Sequence, residues 1–137
     1  MRTAWPMASL AGLALAATIS FTAPVHAQVT MAQSEVPYST LVGRWVRPDG
    51  GYVVAINSVS PEGKLDASYA NPSPLPFSRA EASREGSKIK VFLELTAGGY
   101  GGSTYTLGYD AEQDILRGVY YQAIAGQDYN IFFERQK

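Results

Sequence analysis

The chain has 137 residues, 46% of them hydrophobic, with 11 basic and 12 acidic side chains and a formal net charge of −1. So even a balance, with no run of either sign, gives a nucleic acid or an anionic membrane surface no footing as partner. There is no cysteine, and the one histidine, His26, falls in the leader described next, so the remainder has no Ser-His triad, no thiolate nucleophile and no ordinary zinc or copper site.

Residues 1–27 read as a secretory signal peptide. Arg2 supplies the positive start, 8–21 is an Ala- and Leu-rich run, and Val25 and Ala27 are the small residues of a cleavage site after Ala27. A run of about 14 apolar residues is shorter than the roughly 20 a membrane span needs. The expectation is an exported protein, periplasmic or secreted, with no membrane span. Residues 28–40 are polar and aperiodic and read as a flexible leader, which leaves 41–137 as one domain.

From residue 41 the pattern is period-two alternation broken by turn residues. It predicts strands near 41–47, 51–59, 64–70, 78–84, 88–95, 103–110, 115–123 and 128–135. Tight turns fall at 48–51 (Pro-Asp-Gly-Gly), 60–63 (Ser-Pro-Glu-Gly), 85–88 (Glu-Gly-Ser-Lys) and 111–114 (Ala-Glu-Gln-Asp). The connections 71–76, with three prolines, and 96–102, with four glycines, are longer. No stretch has helical periodicity. The predicted fold is therefore all-β: a single up-and-down antiparallel barrel of about eight strands, in which closure removes the exposed edges. A two-sheet sandwich is the competing architecture.

Hairpin counting assigns the inner face, because directly paired residues share a side of the sheet. Across the first turn Arg47 meets Tyr52, Trp45 meets Val54 and Gly43 meets Ile56. Ile89, Val91, Leu93 and Leu95 form an apolar face against Lys90 and Glu94. Across 111–114, Tyr109 meets Leu116, Leu107 meets Gly118 and Tyr105 meets Tyr120, leaving Arg117 outside. In strand 78–84 the expectation is that Ala80 and Ala82 face in, with Arg79 and Glu81 out.

Gly43-Arg-Trp45 on the first strand of a small exported barrel resembles the calycin group, which includes lipocalins, fatty-acid-binding proteins and avidins. That resemblance implies that Trp45 closes one end of the barrel and that Arg135, near the end of the last strand, packs across its ring. Residues 63–69 (Gly-Lys-Leu-Asp-Ala-Ser-Tyr) also resemble the third strand of the avidin and streptavidin type, which implies that Tyr69 and Asn71 reach a ligand. The positions two and six beyond the tryptophan, a polar pair that grips biotin in that family, are Arg47 and Gly51 here. The biotin-binding residues are thus unmatched, and the likeness extends to shape rather than to ligand.

All nine tyrosines lie beyond residue 27. Tyr52, Tyr69, Tyr105 and Tyr120 are expected to line the lumen, each with an apolar ring and a hydroxyl, or else to be ordinary half-buried strand residues. Arg47 at the rim is placed either to meet a ligand carboxylate or to lie over aromatic surface in solvent. The glycine-rich loop that carries Tyr100 reads as a plain flexible hairpin loop, with a lid as the alternative. No acid–base pair stands out, so neither catalysis nor a cofactor nor a metal is expected. The expected function is binding of a small apolar or amphipathic molecule in the lumen. The alternative is a filled barrel whose outward Val46, Val53, Phe92, Val119 and Phe132 meet an envelope partner or a second copy of the chain.

Overall fold

The computed structural model divides the chain into two compact units, Met1–Met31 and Ala32–Lys137. It describes residues 3, 12, 14, 16 and 17 of the first and residues 35–70, 73–96 and 101–137 of the second. Apart from those five residues, the expected signal peptide, with its cleavage site, lies outside the described residues, as do the start of the leader, Asn71 and Tyr100.

The second unit is all-β. A 3-10 turn, Tyr38–Leu41, leads into eight strands: β1 (Gly43–Val46), β2 (Val53–Val59), β3 (Leu65–Ala70), β4 (Pro74–Glu85), β5 (Lys88–Leu95), β6 (Thr104–Asp110), β7 (Ile115–Gln122) and β8 (Gln127–Arg135). Each pairs antiparallel with the next, and β8 returns to β1 through Trp45↔Arg135 and Val46↔Glu134, which closes the barrel. The sandwich is therefore discarded. The hairpin registers are those counted from the turns: Trp45↔Val54, Gly43↔Ile56, Tyr105↔Tyr120, Leu107↔Gly118 and Tyr109↔Leu116.

The core is the inner face of these strands. Trp45, Val54, Ile56, Tyr69, Leu93, Tyr105, Leu107, Leu116 and Phe133 are buried to 2% exposure or less, and β5 alternates as expected with Ile89, Val91, Leu93 and Leu95 inside. At roughly 1.5–3 kcal/mol for each large apolar side chain removed from water, this inward face is what stabilises the barrel.

Two expectations need correcting. The leader does not run to residue 40: Val36 and Tyr38 pack against the core, and Leu41 is fully buried in the 3-10 turn rather than in β1. The proline-rich segment before residue 78 is not all connection either, because β4 begins at Pro74. Among the described residues its pairing with β5 starts at Phe77↔Leu95, while Pro74, Leu75 and Pro76 pair with β3.

A bulge between Phe77 and Arg79 makes Ser78 an extra residue in β4. It shifts the alternation, so Phe77 and the residues at 80 and 82 pack inward although their numbers differ in parity. Ala82 is buried and Ala80 packs on the core, while Arg79 and Glu81 form an ion pair of 3.1 Å on the outside. Gly118 is demanded by close approach: a Cβ there would collide with the Thr106 carbonyl and the Leu107 Cα.

Candidate functional site

Up-and-down order gives the barrel two different ends. At one end lie the 3-10 turn, the 111–114 turn and the end of β8. The other, where β3 and β5 end, carries the 47–52 turn and the β7–β8 turn; it is called the mouth here.

The first end is closed. Trp45 is fully buried, and its Nε1–H donates to the Leu41 carbonyl at 2.9 Å. The Arg135 guanidinium lies 4.3 Å from the Trp45 ring centroid. It donates to both oxygens of Asp114, at 2.7 and 3.0 Å, and to the carbonyls of Val42 and Thr40, at 2.8 and 2.6 Å. Gly43 explains the spacing of Gly-x-Trp: its φ is +145°, and a Cβ would stand 2.7 Å from Arg135 Nη1. Glycine here leaves the guanidinium its path to the backbone. The Arg135 hydrogen bonds hold the Asp114 carboxyl below the usual carboxylate range, and burial pushes the neighbouring Tyr109 phenol up.

At the mouth the chain leaves β1 with Arg47, whose N–H donates to the Tyr52 carbonyl at 2.9 Å. That pairing turns the Arg47 side chain inward, where it is 8% exposed. Nε and Nη2 donate to the two Asp49 oxygens at 2.9 and 2.6 Å, and Nη1 donates to the Tyr105 hydroxyl at 3.1 Å. The guanidinium also stands 4.9 Å from the Tyr52 ring centroid and 5.5 Å from that of Tyr120. Burial opposes its charge, but the bonds to Asp49 and Tyr105 outweigh it and raise the group above its ordinary range. The Arg47 hydrogen bond in turn holds Asp49 below the usual carboxylate range.

Beneath Arg47 the tyrosines form one aromatic cluster. Tyr52 stacks on Tyr69 at 5.9 Å, Tyr105 on Tyr120 at 4.6 Å and Tyr120 on Tyr129 at 6.2 Å, while Phe133 meets Tyr105 edge-on at 5.3 Å. The Tyr69 side chain hydrogen-bonds Tyr105, and burial pushes the Tyr105 phenol up. A polar line thus runs from Asp49 through Arg47 to Tyr105 and Tyr69, giving the buried Tyr105 hydroxyl the partners it requires.

Above this floor is a cleft of about 300 Å³ lined by Arg47, Tyr52, Tyr120, Gln122, Ala125 and Tyr129. Of the residues expected to bind, Arg47, Tyr52 and Tyr120 line it, and Tyr69 and Tyr105 lie below it, at 1% and 0% exposure. Gly43, Trp45 and Arg135 meet at the opposite end. The sequence reading missed Asp49, taken only as a turn residue, and Tyr129, which the count across the 123–126 turn would have set opposite Tyr120. It also missed Gln122 and Ala125.

A larger groove, of about 810 Å³, runs over the outer surface past Lys90, Thr106, Gly108, Arg117 and Val119. Its lining mixes cations, Lys88, Lys90 and Arg117, with anions, Asp110 and Glu112. The mouth is the stronger candidate because rings and oriented donors meet there. Among the described residues no group of three or more His, Cys, Asp or Glu stands close enough to hold a metal ion, and no helix is long and apolar enough to cross a membrane.

No protein-family model matches this chain, and no curated protein or solved structure matches it either. The class that the fold itself defines is a closed eight-stranded antiparallel barrel, consistent with a calycin-like layout.

Proposed function

We propose that this is an exported, calycin-like binding barrel, without catalysis, that takes a small amphipathic molecule at its tyrosine-lined mouth. One observation carries the reading: Tyr52, Tyr120, Tyr129 and the inward guanidinium of Arg47 converge on a single cleft. Tyrosine offers large contact area at low conformational cost, and a guanidinium fixed by other bonds is an oriented donor. The deeper interior is packed with side chains, so the ligand rests on the aromatic floor instead of passing through it. Exposed Ile124, at 73%, and Tyr129, at 45%, flank the opening and suit an apolar portion of the ligand.

The test is native mass spectrometry of the protein purified from its own host, beside a Tyr129→Ala variant. A bound small molecule that is lost or weakened in the variant supports the reading. A bare mass for the wild-type protein refutes it.

A second reading keeps the barrel filled and makes its outer face an interface with an envelope protein or a second copy. It is favoured by Val42, Tyr121 and Phe132, each 39–40% exposed. Val46, Val53, Phe92 and Val119 are half-buried on the same outer surface. Crosslinking followed by sizing separates the two: a monomer that captures nothing leaves only the mouth.

A further inference from the structure

We infer that the mouth selects an electrically neutral ring-bearing ligand with a carbonyl or hydroxyl acceptor, and that Asp49 excludes anions from it. This rests on the mouth being the binding site, as proposed above.

The charge balance of the cleft carries the argument. Arg47 is the one charged side chain among the residues lining it, and on its own it would draw in a carboxylate. It is not on its own. The Asp49 carboxylate grips Nε and Nη2 at 2.9 and 2.6 Å, and that carboxylate is 57% exposed at the rim. An anion approaching Arg47 therefore meets a guanidinium whose charge is already paired with a carboxylate 2.6 Å away. The attraction is weakened, and less of it is left to offset the cost of stripping water from the anion.

Hydrogen-bonding capacity is not cancelled. A guanidinium has five N–H donors, and Arg47 uses three, two on Asp49 and one on the Tyr105 hydroxyl. Among the described residues the other two N–H groups have no acceptor, and they are held by a side chain that its partners prevent from swinging away. They suit a neutral oxygen, which accepts hydrogen bonds without bringing charge. Gln122 adds an amide to the lining of the cleft, and Tyr129, 45% exposed, offers ring surface to a planar or ring-shaped body.

The experiment uses two probes of one shape and different charge, benzamide and benzoate, titrated into the isotope-labelled protein and followed by amide and tyrosine-ring NMR shifts. Benzamide is expected to shift Tyr52, Gln122 and Tyr129 with a dissociation constant roughly tenfold lower than that of benzoate, since like-charge juxtaposition is strongly penalised. Asp49→Asn is expected to erase or reverse that preference, while Asp49→Glu, which keeps the charge, retains it. Benzoate binding as tightly as benzamide to the wild-type mouth overturns the inference and makes Asp49 a placeholder for a ligand carboxylate. A preference that survives in Asp49→Asn also overturns it, as the charge of Asp49 is then not its cause. If neither probe shifts the mouth residues, the underlying reading of the mouth fails and takes the inference with it.

Discussion

Replacing Arg135 by methionine tests whether the closed end is held by the guanidinium or merely covered by it. Methionine keeps an apolar chain over Trp45 but removes the bonds to Asp114, Val42 and Thr40. The two backbone carbonyls lose charge-assisted donors but regain water, a loss of about 1 kcal/mol each. The contact with Trp45 is worth about 0.5–2 kcal/mol. The pair with Asp114, whose side chain is 44% exposed, adds no more than about 1 kcal/mol. The expected destabilisation is about 3 kcal/mol, which in a domain of this size lowers the unfolding midpoint by roughly 10–20 °C.

The pH dependence gives a second, independent reading. Arg135 holds the folded Asp114 pKa below its unfolded value, near 3.9 for an ordinary aspartate. The contribution of the pair is therefore complete above that value and is lost as pH falls through the lower, folded one. Thermal unfolding followed by circular dichroism should show a gap between wild type and variant that is constant from about pH 7 to pH 5 and narrows below about pH 4. A gap under about 1 kcal/mol at neutral pH, or one that does not change on acidification, refutes the reasoning.

Gly43→Ala should cost roughly 1–3 kcal/mol in urea unfolding, because it combines an unfavourable φ with a contact on Arg135; an unchanged midpoint would mean that the guanidinium moves aside freely. Tyr105→Phe should cost about 1–3 kcal/mol by leaving the buried Arg47 Nη1 without its acceptor, measured the same way, and a neutral result would show that water reaches that nitrogen. For Gly118→Val the expectation is loss of soluble folded protein, read from yield and far-ultraviolet spectra, since the collision is with backbone that has no rotamer to change. A well-folded variant would mean that β6 and β7 separate more easily than their pairing implies.

Strand positions, turns and the register of the hairpins were legible in the sequence because they are local. A tight turn fixes which residues stand opposite, and alternation then fixes which of them face in. That is why Trp45, Tyr105 and the face of β5 could be assigned, and why Tyr129 could have been by the same count. Legibility ended where one residue breaks the count: Ser78 is an extra residue visible only when β4 is laid against β5. Hairpin counting set Arg47 on the face of Tyr52, but what keeps it buried there was beyond reach for a different reason. A charged residue at a rim points outward unless something inside compensates its burial. Its compensation comes from Asp49, which is local, and from Tyr105, 58 residues away. Arg135 reaches Asp114, 21 residues away, through the β7–β8 pairing that sets Ile115 against Glu134, and it reaches the Thr40 and Val42 carbonyls only when β8 closes on β1. Sequence alone determined a barrel with an aromatic inner face; tertiary structure decided which charges enter it, because burying an ion is feasible only where distant partners already wait.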